Sequence, residues 1–463
     1  MFQDKYNVGK KLRSKFPRSK IGFWKPDKKR PSALDMIKKS NYDRLPELVP
    51  VRHFRMKASP FAFYRGTASI MARDLAKTTS SGIVVQVCGD CHLMNFGGFG
   101  TPERHIIMDV NDFDETLPGQ WEWDLKRLAV SFELAFRDKG FVSRDATDVV
   151  IKLVNAYRDS MLEFSRMNFL DLWYMKFDLE VMAKNARSAE VRQRLLTALE
   201  KVNKQTHDTV FYKMTSDILG KYAITEQLPL IIRPANMEQA LGVAKDFISQ
   251  YKRTLQPDRR FLLDQYKLYD IALKVVGVGS VGTRCFVALL LNDQQEPLFL
   301  QIKEARQSVL EAYNKRSIYK HDGERIVQGQ RLIQSASDIF LGWASGPTGR
   351  AFYLRQLRDK KMSPIIETMG KTLLEDYAGA TGRILAKAHC KSSKGAEISG
   401  YIGRGEVFAN AIAKFAKAYA DQTERDFADF VKAIKAGKLH AEEKPANSLN
   451  VFRTIGKEVP KKK

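Results

Sequence analysis

The sequence predicts an α+β fold in two lobes, a small antiparallel β lobe and a larger, mainly helical one. Three observations predict it. Residues 266–358 hold apolar runs at Tyr269 to Val278, Thr283 to Leu291 and Pro297 to Lys303, separated by Gly-rich and Asn-Asp turn chemistry. Residues 145–265 instead repeat apolar side chains at helical spacing, as in Val149, Val150, Leu153, Ala156 and Tyr157. Two short strand-like runs near the start, Ile83 to Val87 and His105 to Val110, each lead into a loop rich in Asp and Asn.

Residues 1–50 read as a basic arm with Pro17, Pro26, Pro31, Pro46 and weak periodicity. Within 51–140, Phe61 to Lys77 reads as a helix capped by Ser59 with Pro60 at its first position, and Trp121 to Phe136 as another. Residues 141–265 make the helical part of the large lobe, and 266–358 the small lobe. That lobe includes a helical stretch at Glu324 to Gln334 and a strand at Ala351 to Leu357. In 359–441, Ser363-Pro364 opens a long amphipathic helix carrying Ile366, Met369, Leu373, Tyr377 and Ala380. Residues 442–463 are a basic tail.

A chain of 463 residues can bury a large core. It has no apolar stretch of membrane-spanning length, and Met1 to Arg30 lacks a hydrophobic signal core, so a cytoplasmic protein is expected. Cys88, Cys91, Cys285 and Cys390 suggest no disulfide framework; Cys88 and Cys91 lack the partner pair a zinc site needs and read as buried packing residues. The net charge of +24 attracts polyanions, whether nucleotide, nucleic acid or anionic membrane. Charge runs are most often solvated surface, and no zinc finger or RNA-binding aromatic motif backs a nucleic-acid partner.

The chemistry concentrates in Gly89 to Gly97 and Asn111 to Glu115. Asp90 is followed five residues later by Asn95, and then by Asp112 and Asp114. Phosphoryl transfer to a hydroxyl needs this set: a carboxylate for the attacking hydroxyl, and an amide oxygen with a second carboxylate for magnesium. Gly277-Val278-Gly279-Ser280-Val281-Gly282 runs into a strand and not a helix, which favours a loop covering ATP phosphates over a dinucleotide fingerprint. Lys303 ends the following strand, Leu298 to Lys303, where a kinase lysine reaches the α- and β-phosphates. Period-two geometry puts Phe299, Gln301 and Lys303 on one face and Leu298, Leu300 and Ile302 on the other.

Gly-Asp-x-His-x-x-Asn followed by Asp-Phe-Asp resembles the catalytic and metal loops of aminoglycoside-phosphotransferase-like kinases. The resemblance implies a protein-kinase-like fold using ATP and Mg2+, with Asp90 as catalytic Asp, Asn95 and Asp112 on the metal, and Asp124 holding the loop backbone. Asp114 either supplements the metal or caps the next turn, and His92 relays protons or braces the loop. Gly277, Gly279, Ser280 and Gly282 would cover the nucleotide, Lys303 would pair with Glu324 or Glu311, and the backbone of Gln356 and Leu357 would face adenine. Arg65 would bind phosphate or form an internal salt bridge. Longer stretches are similar to the bacterial domain-of-unknown-function 2252 family: Ser59 to Gly66, the Gly-Asp loop, Asn111 to Glu115, Trp123 to Leu128, Lys303 to Ala305 and Arg355 to Asp359. That resemblance runs from about residue 50 to residue 430 and brings no established substrate with it.

Motif order is permuted, since Asp90, Asn95 and Asp112 precede Gly277 and Lys303. One ATP must touch both sets, so Lys303 and Asp112 should lie within about 10 Å across one cleft. The expected activity is ATP- and Mg-dependent phosphotransfer to an unidentified hydroxyl-bearing acceptor. The alternatives are nucleotidyl transfer, or a pseudokinase scaffold docking a polyanion through its basic arms.

Overall fold

The computed structural model describes residues 2–186, 188–218 and 221–445. The chain is a mixed α+β protein whose sheets are small and antiparallel. Four strands lie in the first third: β1 (Val84–Val87), β2 (Phe96–Gly100), β3 (Ile106–Val110) and β4 (Leu117–Gln120). Among the described residues nine follow: β5 (Thr215–Ile218), β6 (Lys221–Ile224), β7 (Ile231–Ile232), β8 (Lys267–Lys274), β9 (Cys285–Leu291), β10 (Pro297–Glu304), β11 (Gly342–Ser345), β12 (Ala351–Gln356) and β13 (Lys361–Met362).

The largest sheet has the order β11-β12-β10-β9-β8-β7. Its register sets Cys285, Lys303 and Tyr353 side by side on three neighbouring strands, with Gln301 opposite Arg355. Alternation then sends Leu298, Leu300, Ile302 and Leu354 to the other face. There they bury against Phe247, Ile248 and Tyr251 of the helix Met237–Lys252. Each large apolar side chain buried this way contributes about 1.5–3 kcal/mol. The faces of β10 are therefore those the alternation predicts. The covering helix precedes residue 266, however, so the change in composition marks the start of the strands and not of the packing unit. Within 145–265 the pair β5–β6 also interrupts the expected helices.

The helical part is built on Trp121–Asp138, Ser143–Phe164, Lys371–Cys390 and Val407–Lys435. One continuous core joins these helices to β1–β4. Residues 121–136 are buried along their whole length, which places Asp124 and Arg127 in the interior beneath the loop that follows β1. Two helix boundaries differ from expectation. The stretch after Ser59 ends at Arg65 and restarts at Ala68. The long helix begins at Lys371 and not at Ser363, because a 3-10 turn at Ile366–Thr368 and an extended Met369 intervene.

The basic arm is folded and docked. Phe2–Lys15 crosses Gly395–Ile402 so closely that a Cβ at Gly9 or Gly400 would collide with a carbonyl oxygen of the opposing helix. Arg18 Nη1 donates to Ile402 O at 2.6 Å. Arg30 joins Asp74 and Asp426 at 3.0 and 2.6 Å, tying the arm to Val407–Lys435. Part of the arm's charge is therefore spent on internal pairs. Residues 446–463 of the expected basic tail lie outside the described residues. Among the described residues no helix is long and apolar enough to cross a membrane.

Candidate active site

Backbone geometry alone requires glycine before the first acidic residue. Gly89 has φ +88°, and a Cβ there would collide with the Glu115 carbonyl. The turn is held from below by Asp124, whose carboxylate accepts from Cys88 N at 2.6 Å and Gly89 N at 2.9 Å. His389, fully buried, lies 3.3 Å from the same carboxylate and 2.8 Å from the Tyr157 hydroxyl. Two backbone N–H groups thus depend on one side chain. Asp124→Ala orphans both, at about 1–3 kcal/mol each. A loss of about 3 kcal/mol or more in urea unfolding is expected; an unchanged midpoint contradicts this support.

Asn95 closes the other end of the loop, donating from Nδ2 to Asp90 O at 2.5 Å and leaving its Oδ1 for another partner. The Asp90 carboxylate accepts from Arg127 Nε at 2.5 Å. Burial pushes the Asp90 carboxyl above its ordinary range, with Arg127 opposing. His92 is buried and its Nδ1 has no hydrogen-bond partner among the described residues, so it does not brace the loop through that atom. Burial, then Arg65 and Arg127, hold it well below the usual imidazole value and therefore neutral at pH 7.

The hairpin β2–β3 delivers the second loop, and Asn111 N donates to Asn95 O at 2.8 Å, joining the two. Lys303 meets this loop from the sheet. Its Nζ is 3.6 Å from Asp112 Oδ1 and 2.8 Å from Asp114 Oδ2. Tyr353, its cross-strand neighbour, donates to Asp114 Oδ1 at 2.7 Å. Burial works against the Lys303 charge, but Asp112 and Asp114 outweigh it and raise its pKa well above the ordinary value. Burial and Asp114 push Asp112 up. Asp114 is also opposed by burial, yet Lys303 and the Tyr353 hydroxyl bring it below its usual range.

A single cavity of about 1760 Å³ is lined by Asp90, His92, Asn95, Asp112, Asp114 and Lys303. Gly277, Gly279, Ser280, Gln356 and Leu357 also line it; Gly282 and Glu324 do not. Lys303 pairs with the acidic loop and with neither Glu324 nor Glu311, because Asp112 and Asp114 occupy its ammonium. Glu311 lies instead 3.9 Å from Arg325. Gly282 serves the fold, its carbonyl accepting from Leu45 N at 2.8 Å. The N–H groups expected to face adenine are already used: Gln356 N by Asp338 at 2.5 Å and Leu357 N by Phe299 O at 2.9 Å. Arg65 lines the cavity and forms no carboxylate ion pair among the described residues.

The glycine segment is pinned and not free. Val278 packs with Met56, Phe63, Ile70 and Phe430, while Arg55 Nη1 donates to Val276 O at 2.7 Å. Three site residues escaped sequence reasoning: Arg127 beneath Asp90, Tyr353 on Asp114, and Arg355, which bonds Gln301 Oε1 at 3.1 Å and Asn111 O at 3.2 Å. Arg127 and Arg355 both stand inside motif stretches, so position was signalled though role was not.

The donors on the cavity wall are oxygens, an amide from Asn95 and carboxylates from Asp112 and Asp114, which suits Mg2+. A second cluster brings together Cys88, Cys91 and Asp124, but its carboxylate already has structural partners. Asp124 is committed to backbone N–H groups. The Cys88 thiol is raised well above its usual value by its hydrogen bond with Cys91 and by burial, and burial raises Cys91 to about 11. All four cysteines are free and buried, as packing residues are. No curated protein and no solved structure matches this chain. A family model described as an uncharacterized protein conserved in bacteria (DUF2252) matches residues 44–433, and the chain belongs to that family.

Proposed function

We propose that the protein is an ATP- and Mg2+-dependent phosphotransferase with a kinase-like, permuted arrangement of its catalytic segments. One observation carries the reading: Lys303, from the sheet, meets Asp112 and Asp114 on the same cavity wall that holds Asp90 and Asn95. The glycine segment joins β8 to β9 and the lysine ends β10, so loop, strand and lysine follow the order of kinase nucleotide lobes. Chain order is immaterial where the groups converge.

Asn95 and Asp112 would hold Mg2+, which when bound neutralises phosphate charge. Lys303 is fixed beside them to pair with the α- and β-phosphates, leaving Asp114 to Tyr353. Asp90 orients the acceptor hydroxyl and takes its proton, and Arg127 fixes the carboxylate that does so. Burial of Asp90 raises its basicity toward that task. Magnesium-ATP binds the native state alone, so at a hundredfold excess over its dissociation constant it should stabilise the fold by about 2.7 kcal/mol. Thermal melts with millimolar Mg-ATP should shift upward. No shift removes the nucleotide site.

A further inference from the structure

The cavity exceeds the roughly 300–1,000 Å³ usual for one small ligand, leaving room beside a nucleotide. Four guanidinium groups, those of Arg44, Arg52, Arg65 and Arg306, line the same cavity as Asp90, and Arg65 acts on the Asp90 carboxylate directly. Among the described residues Arg65 forms no ion pair, and its Nε has no hydrogen-bond partner. Arg52 is fully buried, also with an unpartnered Nε, and is held by Gly66 O at 2.7 Å, Ser40 Oγ at 3.0 Å and Asn41 Oδ1. Arg44 donates only to carbonyls, Ser40 O at 3.0 Å and Val281 O at 2.5 Å, and Arg306 Nη2 to Tyr42 O at 2.7 Å. Among the described residues none of these four has a carboxylate partner within ion-pair distance.

Four acids that line the same cavity are committed elsewhere. Glu304 is held by Arg284 and Arg350, Asp43 by Arg350, Asp90 by Arg127, and Glu115 accepts from Val309 N at 2.7 Å. Four partly or wholly desolvated guanidiniums facing one cavity repel each other. Burial lowers Arg44 well below its ordinary value, and Arg52 and Arg306 lower it further; Arg52 is brought to about 10 by burial and then Arg306. A multiply charged oxyanion relieves this, because guanidinium forks match phosphate oxygens.

We propose that Arg44, Arg52, Arg65 and Arg306 form the acceptor subsite and bind a phosphate group already present on the hydroxyl-bearing substrate. This rests on the phosphotransferase reading. The acceptor hydroxyl gives its proton to Asp90 and its oxygen bonds the γ-phosphorus. The bond from that phosphorus to the bridging oxygen breaks, and ADP leaves with the electron pair. A polycationic acceptor is disfavoured by the same charges.

A phosphate at this wall belongs either to the acceptor or to the nucleotide, and the experiment separates the two. Inorganic phosphate and pyrophosphate are titrated by calorimetry into the full chain, with and without saturating Mg-ADP. Wild type is compared with Arg306→Gln, Arg65→Gln and Lys303→Met, each checked by its unliganded melt. The expected result is phosphate binding that persists with Mg-ADP bound and weakens at least about tenfold in either arginine variant. Complete competition by Mg-ADP, or a response lost in Lys303→Met but intact in both arginine variants, overturns the subsite by placing the anion with the nucleotide. If Mg-ADP does not bind but the arginine variants still lose phosphate, the nucleotide reading fails and the anion site stands.

Discussion

Replacing Lys303 with methionine is expected to abolish Mg-ATP binding and to lower stability by about 1–3 kcal/mol at pH 7.5, because the ammonium is buried while the carboxylates it meets stay partly exposed. Lys303 is 4% exposed and faces two half-buried carboxylates, so its loss leaves Asp112 and Asp114 side by side with Arg355 as a remaining cation that acts on both. The pH dependence has a definite sign. The folded-state pKa of Lys303 lies above its unfolded value, so its contribution is fully present at pH 7.5 and disappears only as pH rises through the folded value. In the variant the two carboxylates are pushed above their unfolded values near 4. The folded variant then binds more protons than the unfolded chain, and its stability falls as pH rises through that window. Urea unfolding at pH 5 and 7.5 should show a larger deficit at 7.5, and added Mg2+ should recover part of it. A deficit independent of pH would mean that the ammonium is not what neutralises this wall.

Asp90→Asn should lower turnover by about 10²–10⁴-fold, the range for removing a positioned general base. Mg-ATP affinity should stay nearly unchanged, because Asp90 is paired with Arg127 and is not among the carboxylates that meet Lys303. Asn keeps an oxygen for Arg127 but no charge, so a stability cost of about 2–4 kcal/mol accompanies the change, and activity must be read well below the melt. Asp112→Asn should lose nucleotide affinity and turnover together. Equal loss of affinity in both variants would refute the division of roles.

Local geometry was legible where one element dictates it. Alternation along β10 identified the face that carries Lys303, and the loop signatures placed Asp90, Asn95 and Asp112 on one cavity. The partners of Lys303 were not legible, because Glu324 and Asp114 are equally acidic in sequence and only the register of Lys303 against Tyr353 brings Asp114 into reach. The folded state of the basic arm was missed for a related reason. Its first helix is weakly amphipathic, and what orders the arm is long-range, through Gly9 against Glu397, Gly400 against Tyr6, and Arg30 against Asp74 and Asp426. The arginine wall was hidden as well, since Arg44, Arg52, Arg65 and Arg306 are scattered through the chain and only the fold brings them to the cavity that Asp90 lines.

Label transfer tests the proposed chemistry most directly. The full chain is incubated with Mg2+, a small-molecule cell extract, and ATP labelled at either the γ- or the α-phosphorus, with Asp90→Asn in parallel. Products are separated by mass. Phosphotransfer requires the γ-label on a new, Asp90-dependent product and no α-label on it. Transfer of the α-label, or equal products from wild type and Asp90→Asn, would contradict a kinase in which Asp90 serves the acceptor.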